Sequence, residues 1–315
     1  GQGLFQGRLT QTPDAIPEAE NDMILSVFGE ETVAEYYMLR NGTAVIEMAS
    51  CAGLPLVGEN KDPERATTLG VGELMLHAKA NGAKSVLLGL GGSATNDCGI
   101  GMATALGWRF LDADGKTVAS CGASLSDIAK IIPPEKAFGL PVTAACDVEN
   151  PLYGENGAAY VFAPQKGADS DAVMRLDSGL RNIAEVIKDS IGKDVAFVKG
   201  SGAAGGMGAG ALAFLDAELK KGIDIILDES GFDTLARDCD LVVTGEGRLD
   251  FQSADGKVIS GVAERAAKLG KKVIFQTIPP FNYDEETTKR WKEIKQNERF
   301  VRCVGVLAGD TGGLI

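Results

Sequence analysis

The feature that most limits how this chain can fold is a short apolar run that stops at a glycine cluster and resumes as an alanine-rich stretch. Residues 84–90, KSVLLGL, are too few for an ordinary helix and suit a buried parallel strand; GGSATND follows at 91–97, then GIGMATALGW. Strand, glycine loop and helix in that order make half of a βαβ unit. The pattern recurs. GTAVIEMA (42–49) reads as a strand, and ATTLGVGELMLHAKANGAK places Leu69, Leu74, Met75 and Ala78 on one side of a helix over 67–80, with Gly82 as its cap. PVTAACD (141–147) is a strand ending in a carboxylate. DLVVTGEGRLD (240–250) runs from a strand into a loop of glycines and acids; GKVISGVAERAAKLGKK then reads as a helix closing on Gly270, and VIFQT as the next strand. On such sheets ligands collect in the loops beyond the carboxyl ends of the strands, and the glycines and acids of this chain lie there.

At 315 residues the chain exceeds one average domain of about 100–200 residues, so two lobes or one large α/β unit are expected. Charge then removes several functions. With 31 basic against 44 acidic residues the net charge is −13, and without a basic block no nucleic acid is expected as partner. Small anions remain open, because backbone N–H groups and a few local cations suffice to hold them. The six cysteines, at 51, 98, 121, 146, 239 and 303, show no CxxC spacing and read as reduced and structural. Neither a signal-like N-terminus nor a run of about 18 apolar residues is present, so the expected location is the cytoplasm, with no membrane partner. His77, the single histidine, makes serine triads and multi-histidine metal sites improbable, and its place on the 67–80 helix fits an exposed helix residue.

Four segments can carry chemistry. In GGSATNDCGIG (91–101) small residues let the backbone approach a ligand, and amides at a helix start favour an anion; the same loop is equally a tight turn capped by Ser93, Asn96 or Asp97. GSGAAGGMGAGALAFL (200–215) contains GxGxxG at Gly200, Gly202 and Gly205. That pattern suggests a dinucleotide, but AFVKG is a short strand at best and Asp216 and Asp224 bracket the required acid spacing ambiguously, so close helix packing competes with it. TGEGRLDFQSADGK (244–257) gathers Glu246, Arg248, Asp250 and Lys257 after a buried strand, where acids bind Mg²⁺ or take a hydroxyl proton and cations hold phosphate oxygens. A solvated charged turn is the other reading. The fourth, residues 146–168, has Asp147 closing a strand and Lys166 in a loop framed by Pro and Gly, and a domain crossover would look similar. GKT at 115–117 is no Walker loop, since Phe110 stands where a glycine is required, and HRD and DFG strings are absent.

Taken together, GGSATNDCGIGMATALG, GSGAAGGMGAGALAFL and DLVVTGEGRLDFQSADGKV resemble hallmark segments of the bacterial-type glycerate kinases, and VIEMASCAGLPLV and NPLYGENGAAYVFAPQKGA are similar to further blocks in the same order. The resemblance covers roughly residues 28–275. It implies an ATP- and Mg²⁺-dependent kinase that phosphorylates a hydroxyl of D-glycerate, on a two-lobed α/β fold with the site in the cleft. In that fold 1–45 is an irregular edge segment completing a lobe, 46–225 an α/β lobe with glycine loops, and 226–315 a parallel-sheet, Rossmann-like lobe. A homodimer is the default assembly for a soluble oligomer.

Gly91, Gly92, Ser93 and Asn96 are then expected to contact anions, and Asp97, Glu246 and Asp250 to serve as base or catalytic acids, with Asp97 and Glu246 also as metal ligands. Arg248 and Lys166 supply positive charge to phosphate or carboxylate. Replacing Asp97 or Asp250 by Asn is expected to collapse turnover with little loss of stability. Two departures from the family pattern are visible. The DSFKG-like and DGGEGT-like segments usual near the N-terminus are missing, which predicts a lobe without its first strand and helix, and Pro279–Phe300 reads as a charged surface helix or an insertion before CVGVLAGDTGG. A catalytically silent homologue that binds a phosphorylated metabolite, and an NAD-dependent oxidoreductase, are the competing functions.

Overall fold

The structure, a computed structural model, describes residues 19–246, 258–277 and 300–305, and the chain divides into two compact units, Gly1–Lys220 and Lys221–Ile315. The first unit is built on a six-stranded sheet. Its strands are β1 (Ala19–Leu25), β2 (Glu31–Met38), β3 (Thr43–Glu47), β4 (Ser85–Gly89), β7 (Val142–Ala145) and β8 (Glu218–Lys220), lying side by side in that order; β5 (Arg109–Leu111) and β6 (Lys130–Ile132) form a separate antiparallel pair. From β3 onward all pairings are parallel, with Thr43 opposite Ser85, Val86 opposite Val142 and Thr143 opposite Glu218. β1 and β2 instead form an antiparallel hairpin paired to β3. The sheet is therefore mixed, and residues 19–38 are not irregular. Along β2, which lies between β1 at the sheet's edge and β3, only Ala34 and Tyr36 are buried, on one face, while Val33 and Tyr37 share the exposed face with Glu31 and Glu35, so the strand shows no clean apolar alternation.

Helices fill the space between these strands. Short turns α1 (Ala49–Ala52) and α2 (Leu54–Val57) lead to α3 (Leu69–Ala80), whose Leu74, Met75 and Ala78 are fully buried; burying a Leu or Met side chain stabilises by about 1.5–3 kcal/mol. α4 (Ile100–Ala105), α5 (Ala158–Phe162), α6 (Ser170–Ile191) and α7 (Ala203–Leu215) complete the unit. The start of α6 is fixed by Asp169, whose carboxylate accepts from the Ala172 amide at 2.8 Å, and Gly192 ends it in the left-handed region.

The second unit has a parallel three-stranded sheet in the order β11 (Phe300–Gly305), β10 (Lys272–Thr277), β9 (Leu241–Glu246), with helices α8 (Gly222–Glu229), α9 (Phe232–Arg237) and α10 (Val258–Lys268). Ile259, Val262, Ala263 and Ala266 bury one face of α10, and Arg265 bridges Asp228 and Asp233 at 2.6 Å each. No described helix is long and apolar enough to cross a membrane.

A candidate active site at the carboxyl ends of two parallel strands

Where β4 and β7 end side by side, the chain opens into a hollow of about 220 Å³. Its wall is made by Leu90–Ser93 after β4, Ala145–Val148 at the end of β7, Phe162, Gln165 and Lys166, and Ala203–Ala204 at the start of α7. All of these belong to the first unit. The glycine loop is pinned from below, because Leu54 N donates to Gly92 O and Ala94 N to Ala52 O, both at 2.9 Å. Gly91 and Gly92 remain exposed, and a Cβ at Gly91 would meet nothing within 4 Å. Bare backbone therefore faces the opening. On the β7 side Asp147 is the carboxylate and Cys146 the thiol; burial raises the thiol above its ordinary value, so Cys146 stays protonated, its Sγ donating to Val148 O at 3.2 Å. Across the hollow Ala204 holds φ +54°, a conformation that costs a residue with a Cβ of order 1–3 kcal/mol.

Two buried charged groups sit under the loop. Lys166, in the turn Pro164–Lys166, is only 2% exposed, and its ammonium is directed at Ser93 Oγ (2.8 Å) and Thr95 O (2.6 Å). Burial brings Lys166 down from 10.5 to about 7, with the negative charge of Asp97 opposing the shift. Asp97 has no exposed surface at all. Its Oδ2 accepts from the Thr68 amide (2.8 Å), the Thr68 hydroxyl (2.7 Å) and the Gly101 amide (3.2 Å), and its Oδ1 from the Gly99 amide (3.1 Å). Burial pushes the carboxyl above its ordinary value, while the Thr68 hydroxyl and amide and the two glycine amides pull it back. Thr68 Oγ1 in turn accepts from Met102 N at 2.9 Å, so one carboxylate ties the start of α3 to that of α4.

The sequence as a whole can now be placed among known proteins. A profile described as the glycerate kinase family matches residues 2–277. This chain belongs to the glycerate kinase family. It is 45% identical over 281 residues to a glycerate 2-kinase of Escherichia coli strain K12, covering 87% of this chain and 72% of that one. To a glycerate kinase of Bacillus cereus it is 44% identical over 265 residues, 81% of this chain and 70% of the relative. A solved structure named as a glycerate kinase 2 from Salmonella typhimurium LT2 superposes with a TM-score of 0.80 at 36% identity, covering 92% of this chain and 75% of that one. The α/β architecture is thus that of a glycerate kinase.

Within this family member the expected site residues separate. Gly91, Gly92, Ser93 and Lys166 meet at the hollow. Asp97 is not among the residues that line it; its carboxylate accepts four hydrogen bonds from its own chain, three on Oδ2 and one on Oδ1, and braces the starts of α3 and α4. Asn96 is fully buried away from the hollow's wall, and among the described residues its Oδ1 and Nδ2, like Thr95 Oγ1, have no hydrogen-bond partner. Glu246 ends β9, and Arg248, Asp250 and Lys257 lie outside the described residues.

The dinucleotide reading fails on two counts. GSGAAG follows turn and bend residues at 196–199, not a strand, and its glycines are packing positions: added Cβ atoms would stand 2.1 Å from Pro151 O at Gly202 and 2.1 Å from Thr95 O at Gly205. Asp147 belongs to the 146–168 segment named above, without an assigned role there, and Thr68 is not among the expected site residues. The acid closing PVTAACD marks Asp147, whereas Thr68 carries no local signal.

Proposed function

We propose that this chain transfers the γ-phosphoryl group of ATP to a hydroxyl of D-glycerate. The observation that carries the reading is the hollow itself: exposed glycine backbone, a serine, a buried lysine and a carboxylate meet at the ends of β4 and β7 in a chain of the glycerate kinase family. Its volume of about 220 Å³ is below the about 300–1,000 Å³ typical of sites for drug-sized ligands, which suits a three-carbon acid or a phosphate tail better than a whole nucleotide. Among the described residues no acceptor is paired with the amides of Gly91 or Gly92, which suits both to anionic oxygens. Phosphoryl transfer asks chiefly for positioned oxygens and neutralised charge, and a rigid amide loop on strand ends offers the first. Glu246 and Asp250 as acids and Arg248 as the phosphate cation remain part of this reading.

Mg²⁺, which the family resemblance implies, belongs to the same reading as the companion of ATP. Among the described residues no group of three or more His, Cys, Asp or Glu could hold a metal, and Asp97, the expected ligand, accepts four hydrogen bonds from its own chain. The test is a coupled ADP-release assay with D-glycerate and MgATP. Release that depends on D-glycerate is expected; stabilisation by ATP with no ADP release would make the chain a silent binder instead.

A further inference from the structure

We propose that Ser93 and Lys166 form the proton acceptor for the substrate hydroxyl, an inference that rests on the kinase reading above. Ser93 lines the hollow and is otherwise buried, with Lys166 Nζ 2.8 Å behind it. A lysine meant as a phosphate clamp would extend its ammonium into the hollow. Lys166 instead turns inward onto two neutral acceptors, Ser93 Oγ and Thr95 O, and forms no ion pair among the described residues. A buried cation that meets only neutral acceptors is poorly compensated, so the surroundings favour the amine, whose midpoint falls to about 7. The titratable groups around it are few. Asp97 lies beneath the loop, Asp147 and Cys146 lie on the β7 side of the hollow, and α5 alongside carries Tyr160. Lys61 packs against Gly167, with its own Nζ turned to Gln165 O.

With Lys166 as the neutral amine, the Ser93 hydroxyl donates to the Nζ lone pair and presents a lone pair of Oγ to the hollow. The substrate O–H bond breaks as its oxygen bonds to the γ-phosphorus. That proton passes to Ser93 Oγ, the serine's own proton passes to Nζ to give the ammonium, and ADP departs with the electrons of the broken P–O bond. Water later takes the extra proton from Lys166. Ser93 is the group that touches substrate; Lys166 acts through it. Such proton transfer contributes typically about 10²–10⁴-fold in rate.

The closing experiment pairs a titration with a rate profile on the full chain. In protein carrying ¹³C at lysine Cε, one resonance, identified by its absence in Lys166→Met, is expected to titrate near pH 7; a Lys166 signal that stays charged to pH 9 overturns the proposal. In the ADP-release assay, wild-type kcat is expected to rise with pH through about 7. Ser93→Ala should lower kcat by about 10²-fold or more with little change in KM for ATP, and should lose that rise. Lys166→Arg, which cannot become neutral, should stay low at every pH. ATP-induced thermal stabilisation of each variant reports that it is folded. Wild-type rates in Lys166→Arg would make the residue a point charge and sink the pair alone, whereas absence of D-glycerate-dependent ADP release from the wild type would sink the kinase reading and the pair's part in it together.

Discussion

Asp97→Asn distinguishes a brace from a metal ligand. The substitution keeps the shape of the side chain and removes its charge. With the amide oxygen in place of Oδ2, the bonds from Thr68 N, Thr68 Oγ1 and Gly101 N persist, but the NH₂ then points at Gly99 N, which is 3.1 Å from Oδ1, and two donors face each other. One hydrogen bond to a charged group is worth about 1.5–3 kcal/mol, and the three that remain lose their ionic partner, so a destabilisation of about 2–3 kcal/mol follows. For a unit of this size each kcal/mol lowers Tm by about 2–4 °C, giving a drop of roughly 4–12 °C. Urea unfolding should show a lower midpoint at unchanged slope. Asp97→Ala, which leaves all four donors buried without an acceptor, should lose more. An Asn variant with the wild-type midpoint and no turnover would refute the brace and return Asp97 to the chemistry.

Two further expectations concern glycines of two different segments. Gly205→Ala forces φ +69° on a residue with a Cβ and drives that atom to 2.1 Å from Thr95 O, so it should destabilise by about 3 kcal/mol or more, seen as a lower urea midpoint or loss of soluble protein. Gly91→Ala meets no atom within 4 Å and should leave the midpoint in place while weakening ATP or D-glycerate binding, measured by calorimetry. Lys166 predicts a pH signature of stability. Because its folded midpoint, about 7, lies below the ordinary 10.5, the unfolded chain holds the extra proton between these values; the stabilisation is fully present above 10.5 and is lost as pH falls through about 7. Wild-type stability should therefore climb across that window by up to about 1.4 kcal/mol per pH unit relative to Lys166→Met, and parallel curves for the two proteins would show that Lys166 titrates normally.

Much of the first unit is legible in the sequence because its information is local. KSVLLGL becomes β4, PVTAACD becomes β7, and the 67–80 periodicity becomes Leu69–Ala80, each from apolar residues whose spacing matches the element that buries them. The hairpin of residues 19–38 escapes because β2 buries only Ala34 and Tyr36 and leaves Val33 and Tyr37 exposed, so apolar residues on both faces blur the period of two. In the site, the glycine loop, Ser93 and Lys166 can be anticipated from turn chemistry and a charge framed by Pro and Gly. The part played by Asp97 cannot, since its meaning depends on Thr68, 29 residues earlier, and on no feature of the loop that contains it.

The two glycine-rich segments show why composition alone misassigns such sites. GGSATND and GSGAAG are both runs of small residues after apolar stretches, and either could cradle an anion. What separates them is what occupies the space a side chain would take: Pro151 O and Thr95 O stand 2.1 Å from the Cβ positions of Gly202 and Gly205, whereas nothing stands within 4 Å of that of Gly91. Where another stretch of the chain fills the space, the glycine is a spacer, and a larger residue costs stability. Where the space is empty and the amide has no partner, the same residue type leaves room for a ligand, and a larger residue there costs binding. Gly91→Ala and Gly205→Ala are for this reason a matched pair: loss of binding alone in the first and loss of fold in the second would identify which loop of this glycerate kinase relative meets its substrate.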